Sequence, residues 1–426
     1  MQFSISSRVK VLIAAIIINL CLGSIYAWSI FAAQLKVEHP DWTMTAISNI
    51  FSLMVFTYAL TTIIAGMLQD RIGPRKVASL GGIFMGMGII FSGRADSLNE
   101  MYIWHGLVAG IGVGFAYVTP IATILKWFPE QRGLMIGLVM GFFGAGAMVF
   151  GPIAGLTISW TGSVYPALTV LGWVYLILIT LSAQFLKNPP IKGHSSSPVV
   201  AAENLPRRLD YNPRQMLRQG VFYITLIVFL LGCVSGLTLL SNAQRVGEVF
   251  AGLSAAAAIT TVGIISVFNA LGGPAFGMLC DRIGSRITLF ILFLLYSIAL
   301  FLLPYAHFFV TFVFLASLVT LCYGGLFAVF PTIIADHFGT QYLGANYGLL
   351  FIAFGIAAIL GPYAASSLVD GAQSSIKCIT DNSEAMNYAL IKGFTRAFQL
   401  AGTCALIGTA LSLFIINPQQ KKNKTV

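Results

Sequence analysis

The chain has 426 residues, of which 57% are apolar and only 9% are charged, and its mean hydropathy is +0.86. Soluble proteins carry roughly 25% charged residues, so the composition excludes an ordinary soluble domain. The apolar residues occur in runs of about twenty, long enough to cross a bilayer as α-helices, and the period-2 alternation of a β-barrel is absent. The sequence therefore predicts an all-α polytopic membrane protein in contact with the lipid bilayer.

The formal net charge of +10 does not indicate a nucleic-acid partner, because the basic residues form no stripe interleaved with aromatic residues. The cysteines and histidines are dispersed, so we expect no disulfide framework, no metal site and no cofactor. No H-E-x-x-H motif, paired intramembrane aspartate or nucleophile–histidine pair is present. We therefore expect neither an enzyme nor a membrane-embedded sensor.

Hydropathy predicts twelve membrane spans, with boundaries good to about three residues. The first apolar run continues to about residue 33, which is too long for a cleaved signal peptide. The predicted spans are 11–34, 45–68, 77–93, 101–125, 134–157, 164–186, 221–244, 254–279, 287–306, 309–334, 344–368 and 395–416. The long polar segment 187–220 is predicted to be a cytoplasmic linker between two six-helix halves, residues 1–186 and 221–426.

The basic residues are distributed unevenly between the two sides of the predicted topology. Eighteen of the 24 Lys and Arg residues fall on the side of the termini and the linker. Because cytoplasmic loops carry the excess of basic residues, we expect both termini and the linker in the cytoplasm of a bacterial-type cell membrane.

The chain contains an internal repeat. The pattern G-M-L-x-D-R-I-G-x-R begins at Gly66 and again at Gly277, 211 positions later. Pro120 and Pro331 keep the same offset, and Gly151-Pro152 matches Gly361-Pro362 at an offset of 210. Since each half has an even number of spans, the copies have the same orientation and are predicted to be parallel repeats about the membrane normal.

Each position of the repeated motif has a physical reason. The first glycine allows close helix approach, the aspartate suits the positive N-terminus of a following helix, and the second glycine suits a tight turn. The basic residues can anchor the loop and bond helix-end carbonyls or acids across the interface. An ordinary positive-inside loop would explain the charges but not the second copy, so we expect a gate formed by Gly66, Asp70, Arg71, Gly73, Arg75, Gly277, Asp281, Arg282, Gly284 and Arg286.

This motif in a duplicated twelve-span chain resembles the signature of the major facilitator superfamily. Three further segments resemble the oxalate/formate antiporter family, which includes bacterial pyruvate, lactate and other monocarboxylate carriers. They are Gly23–Ser29 (GSIYAWS), Lys126–Gly133 (KWFPEQRG) and Asn346–Gly348 (NYG), and Asp210-Tyr211 is similar to the end of that family's linker. The resemblance implies a monomer that transports a small molecule by alternating access, with a proton or counter-anion as a potential coupling partner.

The resemblance also implies cavity-facing residues, namely Tyr26, Trp28, Tyr117, Asn269, Tyr323, Phe327 and Phe351. The chain departs from the family where many members carry an intramembrane Arg, here Gly273, and where the oxalate carrier has a Lys, here Phe354. A buried carboxylate needs a cation or strong donors, so oxalate is disfavoured. We expect a monocarboxylate, held by hydroxyl groups, Asn269 and backbone donors near Gly273 and Pro274, or by Arg245, Lys392 or Arg396 at the outer mouth. Facilitated diffusion, exchange and coupling through the substrate's own proton all fit the lack of an intramembrane carboxylate. The alternative is a carrier or efflux transporter for a neutral, zwitterionic or amphipathic solute.

Three other features allow alternative interpretations. Gly151-Pro152 and Gly361-Pro362 resemble part of an antiporter motif, but they are also typical of an architectural helix bend. His105 in the fourth span is a candidate proton carrier, but an interfacial or helix-bonded histidine is the more common case. Several of the aromatic residues proposed for the cavity could equally be packing residues.

Overall fold

A computed structural model describes residues 5–189, 210–377 and 383–416. Most of the predicted linker lies outside these ranges, so the predicted domain boundaries at residues 187 and 220 remain predictions. The described residues contain twelve long helices and no strand. The predicted all-α fold of twelve membrane helices is confirmed.

We number the twelve helices as spans in chain order. The first is Ile5–Leu22, Gly23–Ala27 and Trp28–Glu38, and the fourth is Leu98–Met101, Tyr102–Ala109 and Gly110–Trp127. The others in the first half are Met44–Ile72, Pro74–Ser92, Arg132–Thr161 and Val164–Ala183. The second half has Gly220–Leu240, Ala255–Ile283, Ser285–Leu302 with Leu303–Tyr305, Phe309–Phe338, Leu343–Lys377 and Ser383–Ser412.

Two spans are irregular in their middle or near one end. The first changes to a 3₁₀-helix over Gly23–Ala27 before the α-helix resumes at Trp28. The fourth contains a π-helix over Tyr102–Ala109. Irregular turns of this kind are rare and occur frequently at functional sites.

Ten of the described helices are long and apolar enough to cross a membrane. The two long helices outside this set are the third and the twelfth spans. The third has only 19 residues and begins with Pro74, Arg75 and Lys76. The twelfth begins with a polar stretch that includes Glu384, Lys392 and Arg396. Polar residues in these two helices therefore lower their hydropathy without removing them from the bundle.

Glycine residues hold the two halves in close contact through the second and eleventh spans and through the fifth and eighth spans. A Cβ atom at Gly344 would lie 2.9 Å from the Gly66 carbonyl oxygen, and one at Gly273 would lie 2.5 Å from the Gly137 carbonyl oxygen. Gly133 and Gly277 also approach each other's backbone. Small residues are what permits such backbone approach in membrane bundles.

These contacts lie in the part of the bundle that carries Asp70 and Asp281. Farther along the same helices, the nearest neighbours of Gly151 are side chains of the first span, and those of Gly361 belong to the seventh span. Pro152 and Pro362 lie within continuous helices. The described structure is thus closed between the halves at the Asp70 end.

Candidate functional site

The aspartate of each repeated motif caps a helix of the opposite half. Asp281 accepts hydrogen bonds from the backbone N–H groups of Gly133 and Leu134, both at 2.8 Å, at the start of the fifth span. Asp70 accepts one from Ala345 N–H at 3.0 Å, at the start of the eleventh span. A carboxylate at a helix N-terminus satisfies free amides and the helix dipole. The sequence suggested the following span as the target, whereas the structure brings a helix from across the interface.

The two caps differ in their charged neighbours. Lys126 lies 3.6 Å from Asp70, and both side chains are largely buried. Beside the Asp281 cap, Arg132 of the first half forms a 2.8 Å ion pair with Asp336 of the second. The Lys126–Gly133 segment singled out in the sequence thus supplies one basic partner to an aspartate of each half.

The motif's other basic residues make contacts within their own half. Arg75 donates to Gln184 in the sixth span at 2.6 Å, and Arg286 donates to the Leu413 carbonyl at the end of the twelfth. Arg71 and Arg282 are exposed. The expectation of bonding to helix-end carbonyls therefore fits Arg286, and bonding across the interface is seen for the aspartates instead.

The second glycine of each motif forms the turn between two spans. Gly73 has a φ of 89° and Gly284 a φ of 86°. A side chain is strained in this region of backbone conformation. The two turns therefore have the same geometry, as expected for a repeated unit.

A small cavity lies between the two halves, beyond the gate. Its volume is about 20 Å³, room for a water molecule but not for a carboxylic acid. It is lined by Tyr26, Tyr58, Tyr117, Met140, Phe143 and Gly144 of the first half and by Asn269, Tyr323, Gly324, Phe327 and Phe354 of the second. A substrate can therefore occupy this site only if its aromatic walls move apart.

Hydroxyl groups are the polar feature of this central cavity. The Tyr117 and Tyr347 hydroxyls are 3.3 Å apart and link the two halves. The Tyr323 hydroxyl is close to that of Tyr26, is buried, and has no hydrogen bond of good geometry. None of the described residues that line the cavity is charged. The cavity thus offers several neutral donors and no cation.

Five of the seven residues expected to face the cavity do so: Tyr26, Tyr117, Asn269, Tyr323 and Phe327. Phe351 is fully buried beside it, with its ring centroid 4.8 Å from that of Tyr117. Trp28 lines a different cavity, within the first half. The sequence missed Tyr58, Met140 and Phe143, because aromatic and methionine residues are too common in this chain to single them out.

The two positions where a cation was expected differ in their surroundings. Phe354 lines the cavity, whereas Gly273 packs against the Gly137 backbone. The three basic residues expected at the outer mouth, Arg245, Lys392 and Arg396, are exposed and do not line the cavity. Of these five positions, 354 is therefore the one at which a charged side chain would enter the cavity.

The end of the predicted linker is hydrogen-bonded to the loop before the eleventh span. Asp210 accepts hydrogen bonds from the N–H groups of Thr340 and Gln341 at 2.9 and 3.1 Å, in the loop before the eleventh span. Asn346 donates to the Tyr211 carbonyl at 2.9 Å. The Asp210-Tyr211 and Asn346–Gly348 segments therefore contact each other, and Asn346 directly follows Ala345, whose amide Asp70 caps.

Comparison with known proteins supports the same fold. The sequence profile of the Major Facilitator Superfamily matches residues 11–362 and 250–426. The proton:xylose symporter XylE bound to 6-bromo-6-deoxy-D-glucose superposes with a TM-score of 0.69 at 14% identity, over 96% of this chain and 95% of that one. An inward-facing, unoccupied bacterial homologue of human Spinster gives 0.61 at 16% identity, over 97% and 98%.

Curated relatives are similar over most of their length. The chain is 29% identical to the MFS-type transporter YhjX of Escherichia coli K12, over 83% of this chain and 86% of the relative. It is 28% identical to the oxalate:formate antiporter of Oxalobacter formigenes, over 95% and 90%. It is 25% identical to apicoplast pyruvate carrier 1 of Toxoplasma gondii, over 79% of each. These relatives are named as transporters, antiporters or carriers and not as enzymes, and the chain belongs to the major facilitator superfamily of multi-pass membrane transporters.

Proposed function

We propose that the protein carries a small monocarboxylate across the cell membrane by alternating access, with the central cavity as the substrate site. The observation that carries the proposal is a cavity between the two halves that is lined by tyrosine hydroxyls and Asn269 and, within the part of the chain that the structure describes, by no charged side chain. The names of the relatives, an oxalate:formate antiporter and a pyruvate carrier, favour a carboxylate as the substrate.

The uncharged lining favours a substrate that crosses with its own proton. A carboxylate buried without a cation loses its hydration, and such groups usually become neutral instead. Protonating a carboxylic acid with a pKa near 4 at pH 7 costs about 4 kcal/mol, far less than burying the unpaired anion. The neutral acid can then donate to one oxygen and accept from the tyrosine hydroxyls, so we infer proton-coupled transport of monoacids and exclusion of oxalate.

The closed contacts at the Asp70 end fit one state of this cycle. With both termini cytoplasmic, as the distribution of basic residues predicts, the gate formed by Asp70 and Asp281 closes the cytoplasmic side. Release to the cytoplasm then requires both aspartates to leave the helix ends that they cap. We propose that the motif couples the opening of the two caps, and that the helices of the two halves slide against each other at the glycine contacts.

A carboxylic acid and its amide test the proposal directly. We expect purified protein in liposomes to take up labelled lactate faster when the external medium is acidic, and to reject lactamide, which has the same size and no acidic proton. Replacing Tyr323 with Phe removes one cavity hydroxyl and should raise KM about tenfold, the effect of losing one hydrogen bond to a polar substrate. Tyr305→Phe is the matched control, because Tyr305 is 64% exposed.

The second candidate is a carrier for a neutral or amphipathic solute, which the absence of a cation in the cavity also favours. Uptake of lactamide at a rate similar to that of lactate, with no effect of the pH gradient, would support this candidate and exclude the first. Uptake of neither solute would leave a larger amphipathic substrate as the explanation.

A further inference from the structure

A second cavity lies inside the first half, separate from the central cavity. It has a volume of about 20 Å³. Its wall is mostly apolar and comes from the first, second, third, fourth and sixth spans. The polar members of the wall are Ser24, Trp28, His105 and Tyr175. The transport mechanism proposed above uses none of these four side chains.

Two polar atoms at this cavity have no hydrogen-bond partner among residues 5–189, 210–377 and 383–416. They are Nε1 of Trp28 and Nδ1 of His105, on side chains that are 8% and 4% exposed. The two rings are in contact, with centroids 4.6 Å apart. Leaving a buried donor or acceptor unsatisfied costs about 1–3 kcal/mol, so each such group requires an explanation.

The chemistry of the pair fits a single small neutral ligand. The indole N–H can only donate, and one nitrogen of a neutral imidazole accepts. A water molecule accepts from the first and donates to the second, and the hydroxyls of Ser24 and Tyr175 can supply further partners. Buried waters make about three hydrogen bonds and need a polar site with at least 10–15 Å³ of space, and this cavity provides both.

A charged ligand does not fit the same wall. The titratable groups that face His105 from the neighbouring spans are limited, among the described lining residues, to the Tyr175 hydroxyl of the sixth span. The second span contributes Met54, and the third contributes Met85 and Ile89. With no carboxylate to offset it, an imidazolium here would be an unpaired buried charge. The wall therefore favours water over a stored proton.

We propose that this cavity is a water-binding site in which Trp28 and His105 hold one ordered water molecule. The site adjoins the irregular turns of two spans, since Trp28 follows the 3₁₀ segment of the first and His105 lies in the π-helix of the fourth. Tyr26, two residues before Trp28, lines the central cavity. Trp28 and His105 are thus positioning residues that fix the turn from which Tyr26 projects.

The test compares thermal unfolding of the purified protein with that of four test variants and one control variant. Trp28→Phe and His105→Leu each remove one partner of the water, and each should lower Tm by about 2 °C. The double variant should fall no further than the worse single variant, because both changes release the same water. His105→Asn keeps an acceptor but cannot store a proton, so it should restore most of the Tm. Trp104→Phe is the control, because Trp104 packs on Phe91 and does not line this cavity.

Three results would overturn the proposal. Additive losses in the double variant would show that the two side chains act separately. Failure of His105→Asn to restore Tm, together with a changed pH dependence of transport, would identify a proton site instead. If the variants do not fold, a high-resolution structure of the unmodified protein decides: density within hydrogen-bond distance of both nitrogens supports the site, and a dry cavity rejects it.

Discussion

Replacing Asp281 with Asn tests whether the interface caps hold the gate closed. The carboxylate accepts two backbone hydrogen bonds at 2.8 Å from the first turn of the fifth span. The amide keeps one acceptor oxygen, loses the second and loses the charge that complements the helix dipole. Loss of a helix cap costs about 0.5–2 kcal/mol, and the dipole term adds a few tenths at an exposed site.

Since Asp281 is exposed, we expect a loss near 1 kcal/mol. That value corresponds to about a fivefold fall in the ratio of closed to open protein. The change should alter the turnover rate more than it alters substrate binding, because Asp281 does not line the central cavity. Asp70→Asn should act in the same direction, but its carboxylate makes one amide hydrogen bond and has Lys126 beside it.

Distance measurements between spin labels at positions 76 and 287 would report the closed-to-open ratio. Both positions are exposed at the start of equivalent spans, the third and the ninth, and the native cysteines are replaced beforehand. Asp41→Asn is the control, since Asp41 is exposed at the opposite end. If Asp281→Asn and Asp41→Asn give the same distance distribution, the cap does not stabilise the closed state and the proposed gating role is wrong.

The remaining predictions concern the cavity charge and the linker. Gly273→Arg should lower the yield of folded protein and give no gain in carboxylate affinity, because any side chain at 273 meets the Gly137 backbone; a stable variant with tighter carboxylate binding would contradict this. Phe354→Lys puts an ammonium group into the cavity and should raise oxalate affinity at least about tenfold, measured by competition for uptake. Asp210→Ala should lower Tm by about 1–2 °C, because two loop amides lose their acceptor. A loss no larger than that of Asp41→Ala would show that these hydrogen bonds do not stabilise the fold.

The repeat in the sequence predicted the two aspartates but not the helices that they cap. The 211-residue offset indicates that the two segments are equivalent, and the distribution of Lys and Arg residues predicts that both lie on the same side of the membrane. It cannot say that each aspartate reaches the opposite half, because the reciprocal pairing arises only when two parallel repeats pack about a common axis. For the same reason, the sequence did not predict that Lys126 pairs with Asp70 or that Arg132 pairs with Asp336.

The Gly23–Ser29 segment shows the same limit at the level of side chains. Resemblance placed both Tyr26 and Trp28 at the substrate cavity, and two positions apart on a regular α-helix they would point about 200° apart. They do line two different cavities, as that spacing alone predicts; what the spacing does not predict is the 3₁₀ turn, where Gly23 packs on the fifth span. A local departure from the α-helix is decided by contacts with other spans and leaves no periodic signal.

The sequence by itself determined the membrane environment, the twelve helices, the duplication and the family, because apolar run length, repeat offset and motif residues are properties of the chain read in order. Only the tertiary structure decided which side chains share a cavity, that Gly273 is a contact between backbones while Phe354 faces the cavity, and that each motif aspartate caps a helix of the opposite half. These depend on distances between residues far apart in the chain, and such distances are fixed by how the helices pack against each other.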